Sequence, residues 1–189
     1  MLWNIPNILT VLRIVLIPVF VGLFYLPEEM MAAHERNFLA TAIFLLAAVT
    51  DWLDGYLARR LNQTSAFGAF LDPVADKLMV AAALIVLVEF ERVGAVIALI
   101  IIGREIAISA LREWMASLGE GKNIAVAMIG KLKTAFQMLA ILFLLYGDPL
   151  FGFSTQLIGT VLIYIAVFLT LLSMAYYLKA AWPQMTEKK

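Results

Sequence analysis

Cysteine is absent from the 189 residues, and histidine occurs once, at His34. Without thiols the chain has no disulfide, no thiolate metal site and no cysteine nucleophile. Charge is scarce as well. Only 15% of residues are charged, with Lys+Arg 14 against Asp+Glu 14, so no net field points to nucleic acid or a polyanionic partner. No internal repeat or low-complexity tract is visible, and nothing separates a second domain, so residues 1–189 read as one domain. What the chain has in excess is apolar surface. A hydrophobic share of 63% and a mean hydropathy of +0.94 exceed the roughly one-half apolar content of soluble domains. The bilayer is the expected solvent. The N-terminus lacks the basic start and small-residue cleavage site of a secretory signal, and its apolar run is expected to be retained as a span.

At roughly 20 residues per spanning helix, the apolar runs predict helices near 8–26, 37–60, 68–88, 93–116, 130–147 and 152–178. The expected fold is therefore an all-α membrane protein. It is a bundle of six transmembrane helices preceded by a short interfacial segment carrying Trp3, Asn4 and Pro6. An even number of spans puts both termini on one side. Arg59, Arg60, Arg112, Lys122, Lys131, Lys133, Lys179, Lys188 and Lys189 fall on that side, against Arg36 and Arg92 on the other. The excess of basic residues predicts that both termini are cytoplasmic. His34 falls on the far side and reads as an ordinary loop residue.

Four aspartates, Asp51, Asp54, Asp72 and Asp76, lie within or beside the second and third spans. A charged aspartate at mid-helix costs on the order of 2.5–3.5 kcal/mol on insertion scales, so four together require compensation. Asp51 and Asp54 share a helix face at i, i+3, and Asp72 and Asp76 share one at i, i+4. The short connection 61–67 makes the two helices antiparallel neighbours. Clustered carboxylates repel and take up protons, whereas one or two divalent cations hold all four ionised. An all-oxygen donor set favours Mg²⁺ or Mn²⁺ over zinc and suits a site that leaves positions for phosphate oxygens. Asp51 precedes Arg60 by about 13 Å of helix, which predicts a cavity below the membrane surface, open to the cytoplasm. The competing account makes each aspartate a structural ion pair with Arg59, Lys77, Arg104 or another neighbour. That serves for one residue and strains for four. Gly55 and Gly68 allow a ligand to approach backbone, or serve helix packing. Pro73 is expected in the first turn of the third helix, with Asp72 at its terminus.

Residues 51–76 read DWLDGYLARRLNQTSAFGAFLDPVAD and match D-x2-D-G-x2-A-R-x8-G-x3-D-x3-D at all eight specified residues. This is the signature of the CDP-alcohol phosphatidyltransferase family, which the chain resembles along its whole length in size and hydropathy. The stretches NIPNILTVLRIVLIP (4–18) and GREIAISALREW (103–114) resemble the bacterial branch that forms phosphatidylglycerophosphate. The resemblance implies transfer of a phosphatidyl group from CDP-diacylglycerol to sn-glycerol 3-phosphate with release of CMP, in the bacterial inner membrane, by a homodimer. It implies that Asp51, Asp54, Asp72 and Asp76 ligate two Mg²⁺ or Mn²⁺ ions, with Asp76 also the general base. Gly55, Arg59 and Ser65 align with positions that contact the CDP moiety, Thr64 competing with Ser65.

The chemistry is consistent with those residues. Cleaving a pyrophosphate requires neutralising two phosphate charges and the charge developing on CMP. Asp76, at the cluster's edge, is placed to take the acceptor hydroxyl's proton. A phosphorylated acceptor needs cationic groups of its own, for which Arg104, Arg112, Lys131 and Lys133 are candidates, Arg112 first. Plain positive-inside topology accounts equally well for the two lysines, and Glu105 or Glu113 can simply pair with neighbouring arginines. Arg13 reads either as a headgroup contact or as a snorkelling side chain. With no cysteine and a misplaced histidine, a covalent phosphatidyl-enzyme would need an aspartate already required for metal, so direct attack is favoured. Other acceptors would use the same signature. An ion transporter would distribute its carboxylates along a path with broken helices or repeats, which the sequence lacks.

Overall fold

Long runs of Leu, Ile, Ala and Val, interrupted by proline and glycine at the turns, form six helices among the described residues. They are α1 (Ile5–Leu23), α2 (Ala33–Arg60), α3 (Ala66–Glu89), α4 (Ala95–Ser117), α5 (Ile124–Tyr146) and α6 (Thr155–Thr186). The computed structural model describes residues 5–60, 66–117 and 124–186. Within these, the side chains at 5, 6, 52, 54–59, 66, 67, 69, 112, 116, 117, 124–129, 131, 180, 181 and 183–186 lie outside the description. Among the described residues there is no strand, only an isolated bridge between Leu150 and Phe153.

Each helix falls where the apolar pattern predicts one, with two corrections near the N-terminal ends. First, α1 begins at Ile5, so Pro6 belongs to its first turn, not to a separate interfacial segment; Trp3 and Asn4 lie outside the described residues. The first-turn N–H groups have no intrahelical partner, so a proline there removes nothing. Second, α3 begins at Ala66, which puts Pro73 in the helix interior and Asp72 well past the first turn. A proline inside a helix removes one i→i−4 hydrogen bond, and spanning helices tolerate it because neighbouring groups re-satisfy the backbone.

Local signals account for several helix ends. Glu35 accepts from the Ala32 N–H at 3.3 Å at the start of α2, and Ser154 Oγ accepts from the Leu157 N–H at 3.2 Å at the start of α6. Helix α5 ends on Gly147, whose φ of 70° is cheap only for glycine. The last carbonyls of α5 receive a side chain from the α3–α4 turn: Arg92 Nη1 donates to Leu144 O at 3.0 Å and to Leu145 O at 2.8 Å. Its Nη2 donates to Asn37 Oδ1 at 2.8 Å. Arg92 thus ties the C-terminus of α5 to the N-terminal end of α2 and complements the helix dipole. Burial and the nearby Arg36 charge lower the Arg92 pKa, while Asp148 raises it.

Helix α1 packs on α2 and α3, α5 lies along α6 and also meets α2, and α4 meets α6 and α3. The core between them is apolar, with Phe20, Phe44, Leu84, Leu87, Ile101, Ile141, Leu144 and Leu145 fully buried. Helices α5 and α6 approach closely at Gly159, where an added Cβ would lie 2.6 Å from Leu144 Cγ. Among the described residues one stretch, Thr155–Lys179 in α6, is long and apolar enough to cross a membrane, and Asn7–Leu23 and Leu132–Tyr146 are shorter apolar helices. The expectation of six apolar spans meets the charges carried inside α2, α3 and α4.

Candidate active site

Half-way along the helices, towards the end where α2 stops and α3 starts, the bundle opens into a cavity of about 900 Å³. Its polar lining comes from five helices: Arg13 on α1; Asp51 on α2; Asp72, Asp76 and Lys77 on α3; Glu105, Ser109 and Glu113 on α4; Lys133, Thr134 and Gln137 on α5. Apolar residues, among them Phe44, Met79, Val80 and Met138, complete the wall.

One wall is acidic. The two antiparallel helices bring Asp51 and Asp76 to the same guanidinium: Arg13 Nη1 donates to Asp51 Oδ1 at 2.9 Å and to Asp76 Oδ1 at 2.8 Å. The Arg13 side chain is 1% exposed, whereas those of Asp51 and Asp76 are 39% and 46% exposed. The cation is therefore behind the carboxylates, and the carboxylates face the cavity. Thr10 Oγ donates to Asp72 Oδ1 one turn before Arg13. Asp54 stands on α2 one turn beyond Asp51, its side chain outside the description, as are that of Arg59 and the surroundings of Gly55. Ser65 and its competitor Thr64 lie outside the described residues. Gly68 is buried in the first turn of α3 and is not part of the cavity lining. Among the described residues no three carboxylates or imidazoles stand close enough to cage an ion by themselves.

The facing wall carries mixed charge. Lys133 is 3% exposed and pairs with Glu105 Oε1, which also accepts from Arg104 Nη1 at 3.3 Å. Arg104 is buried and turned towards α6, where its Nη2 donates to Ser173 Oγ at 2.7 Å. It does not line the cavity. The expectation that it meets the acceptor directly is corrected: an i+1 neighbour of a cavity residue on a helix points about 100° away. Arg112 and Lys131 lie on α4 and α5 with side chains outside the description. Ser109 Oγ and Gln137 Oε1 are buried oxygens without a hydrogen-bond partner among the described residues.

Sequence reasoning missed the contribution of α1. Asn7, Thr10 and Arg13 are 2%, 0% and 1% exposed, and they recur every three residues along one face of an otherwise apolar helix. That spacing was the available signal. A polar stripe on a spanning helix faces protein, since lipid offers it no partner. The snorkelling alternative for Arg13 fails for the same reason: its head group is among the most buried in the chain.

Comparison with known proteins adds an independent observation. Residues 3–172 match the family model described as CDP-alcohol phosphatidyltransferase. The chain belongs to the CDP-alcohol phosphatidyltransferase family. Within it, the chain is 52% identical over 185 residues to the CDP-diacylglycerol–glycerol-3-phosphate 3-phosphatidyltransferase of Haemophilus influenzae, covering 96% of this chain and 95% of the relative. A Pseudomonas fluorescens relative of the same name is 53% identical, covering 96% and 92% of the two chains. One from Escherichia coli K12, also so named, is 49% identical, covering 96% of each. For a CDP-alcohol phosphatidyltransferase, the acidic wall coincides with the family signature, and three of its four aspartates have described side chains that line the cavity.

Proposed function

We propose that this CDP-alcohol phosphatidyltransferase moves the phosphatidyl group of CDP-diacylglycerol to sn-glycerol 3-phosphate, giving phosphatidylglycerophosphate and CMP. The observation that carries the reading is identity of about one-half, over 96% of the chain, to relatives that bear this activity in their names. The cavity supports it by gathering carboxylates and cations around a space large enough for a nucleotide headgroup.

Asp51, Asp54, Asp72 and Asp76 hold divalent cations. The donor set supports Mg²⁺ or Mn²⁺, two per site, because the described members offer hard carboxylate oxygens, partly exposed to the cavity, with room left for phosphate. Bound there, the ions supply charge neutralisation for the pyrophosphate and the departing CMP. The protein's own groups do the rest. Arg13 fixes Asp51 and Asp76 relative to one another. Arg59 binds nucleotide phosphate, with Gly55 and Ser65 beside the CDP moiety, and Arg112, Lys131 and Lys133 receive the acceptor's phosphate. The Asp76 carboxylate takes the proton of the acceptor hydroxyl as that oxygen bonds to the lipid-bearing phosphorus and the phosphorus–oxygen bond to CMP breaks. Transfer is direct, without a covalent phosphatidyl-enzyme.

The enzyme is embedded in the bacterial inner membrane as a six-span bundle, cavity and termini cytoplasmic, and works as a homodimer. Large apolar side chains on the outside of several helices, including Val15, Leu46, Ile85, Leu99 and Phe168, support a lipid-facing surface. The test is CMP release by purified enzyme from CDP-diacylglycerol with glycerol 3-phosphate, serine, inositol phosphate or phosphatidylglycerol as acceptor. Glycerol 3-phosphate alone is expected to give rapid turnover, lost on chelation and restored by Mg²⁺ or Mn²⁺. Asp51→Asn, Asp54→Asn and Asp72→Asn are each expected to lower kcat by roughly 100-fold or more while the protein still inserts. Preference for another acceptor overturns the reading, and substantial activity in any two of the variants overturns the four-aspartate site.

A further inference from the structure

The α4–α5 wall contains a polar group for which neither the ion pairs nor the acidic cluster accounts. Gln137 lies one turn from Lys133 on α5 and lines the cavity beside Met138. It is 3% exposed, and its Oε1 is buried without a hydrogen-bond partner among the described residues. A buried acceptor left unpaired is destabilising, because it has given up water without gaining a partner. The cavity lining also includes the apolar Phe44, Met79, Val80 and Met138, and an apolar residue of similar length at position 137 would avoid burying an unpaired oxygen. An unpaired group retained at a cavity wall points to a partner that arrives with the substrate.

The chemistry of the group narrows that partner. The unpartnered atom is the amide oxygen, which accepts and cannot donate, so a phosphate oxygen would leave it unsatisfied whatever the amide nitrogen does. A neutral amide also competes poorly with nearby carboxylates for a cation. A hydroxyl fits, because it supplies the missing donor. Glycerol 3-phosphate carries two hydroxyls. One attacks phosphorus and gives its proton to the base; the other is unused by the reaction, yet must leave water when the acceptor enters the cavity. An unpaired acceptor on the wall and a desolvated donor on the substrate satisfy each other.

We infer that Gln137 is a specificity-determining residue whose side-chain amide binds the non-reacting hydroxyl of the acceptor, selecting a vicinal-diol phosphate over an acceptor with one hydroxyl. The inference rests on the acceptor assignment made above. Its position agrees: counting along α5, Gln137 is one turn from the ammonium proposed to meet the acceptor's phosphate, about 6 Å of helix rise. That is a spacing a three-carbon phosphate spans.

The experiment compares glycerol 3-phosphate with 3-hydroxypropyl phosphate, which lacks the middle hydroxyl, in intact enzyme and in Gln137→Met. The intact enzyme is expected to favour glycerol 3-phosphate by roughly 10- to 100-fold in kcat/KM. Gln137→Met is expected to abolish most of that preference by lowering the glycerol 3-phosphate value alone, with the analogue and the KM for CDP-diacylglycerol shifting less than about threefold. Thermal stability in detergent is expected to hold or rise, since the substitution removes an unpaired buried oxygen. Should Gln137→Met not fold, Gln137→Asn keeps the amide but withdraws it by one methylene, and is expected to lower the preference at least threefold. A preference unchanged in the variants, or an equal loss on both acceptors, overturns the inference while leaving the acceptor assignment intact. An intact enzyme that releases no CMP with glycerol 3-phosphate overturns both.

Discussion

Arg13 carries its guanidinium into a position 1% exposed and shares one nitrogen between the carboxylates of Asp51 and Asp76. A bridging donor of this kind holds α2 and α3 at a fixed separation on the cavity side, and it offsets part of the repulsion between two anions in a low-dielectric setting. Removing one partner from such an arrangement leaves charges without compensation. Because both aspartates are more than a third exposed, solvent screens the loss, and the larger expected effect is on geometry, not on folding. Arg13→Gln is expected to lower kcat on the order of 100-fold, and Arg13→Lys less, since an ammonium keeps the charge but lacks the planar fork. Parallel measurement of membrane yield and CMP release checks this. Activity of Arg13→Gln within threefold of the parent would remove Arg13 from the machinery. The aspartates themselves were legible in the sequence, because four acidic residues at i, i+3 and i, i+4 spacing inside apolar runs are too costly to insert unless a shared cation or ligand compensates them. Arg13 was not. A single basic residue near the start of a span fits snorkelling equally well until the packing of α1 is known.

At the scale of the helices, contact distance decides what the periodicity leaves open. Gly159 lets α6 lie close against α5: an added Cβ would meet Leu144 Cγ at 2.6 Å and the Leu144 backbone N at 3.1 Å. The side chain can rotate in part, but the backbone cannot, so the helices must move apart. Gly159→Ala is expected to destabilise by about 1–3 kcal/mol, the usual cost of overpacking, read as a lower thermal midpoint in detergent. Gly22→Ala, where nothing stands within 4 Å, is the matched control, and equal midpoints for the two variants would refute the close approach. Leu144→Ala combined with Gly159→Ala is expected to lower the midpoint by less than the sum of the two single changes, since the two side chains meet. The hydropathy pattern identified both helices and placed their boundaries within several residues, the extra length lying chiefly at the start of α5 and the end of α6. It misjudged Pro73, because proline is equally compatible with a first turn and with the interior of a helix buried against others.

For the molecule as a whole, the charge distribution predicts an orientation that can be tested directly, since the chain has no cysteine to remove. Single cysteines introduced in place of Asp148, in the α5–α6 connection, and of Lys188, near the C-terminus, are expected to react with a membrane-impermeant maleimide from opposite faces. Lys188→Cys is expected to label only when the cytoplasmic face is accessible, and Asp148→Cys only from outside. Labelling of both from one face would contradict α6 as a span. The sequence by itself determined the number and order of helices, the clustering of carboxylates on two neighbouring ones, and the family. Each of these is a matter of period, spacing and composition along the chain. The fold alone settles which cation stands behind Asp51 and Asp76, that Arg104 turns to Ser173 on α6 while its neighbour Glu105 pairs with Lys133, and that Gln137 has, among the described residues, an oxygen without a partner. Those outcomes depend on the rotation of each helix about its own axis. That rotation is set by how all the helices pack together, and spacing within a single helix cannot specify it.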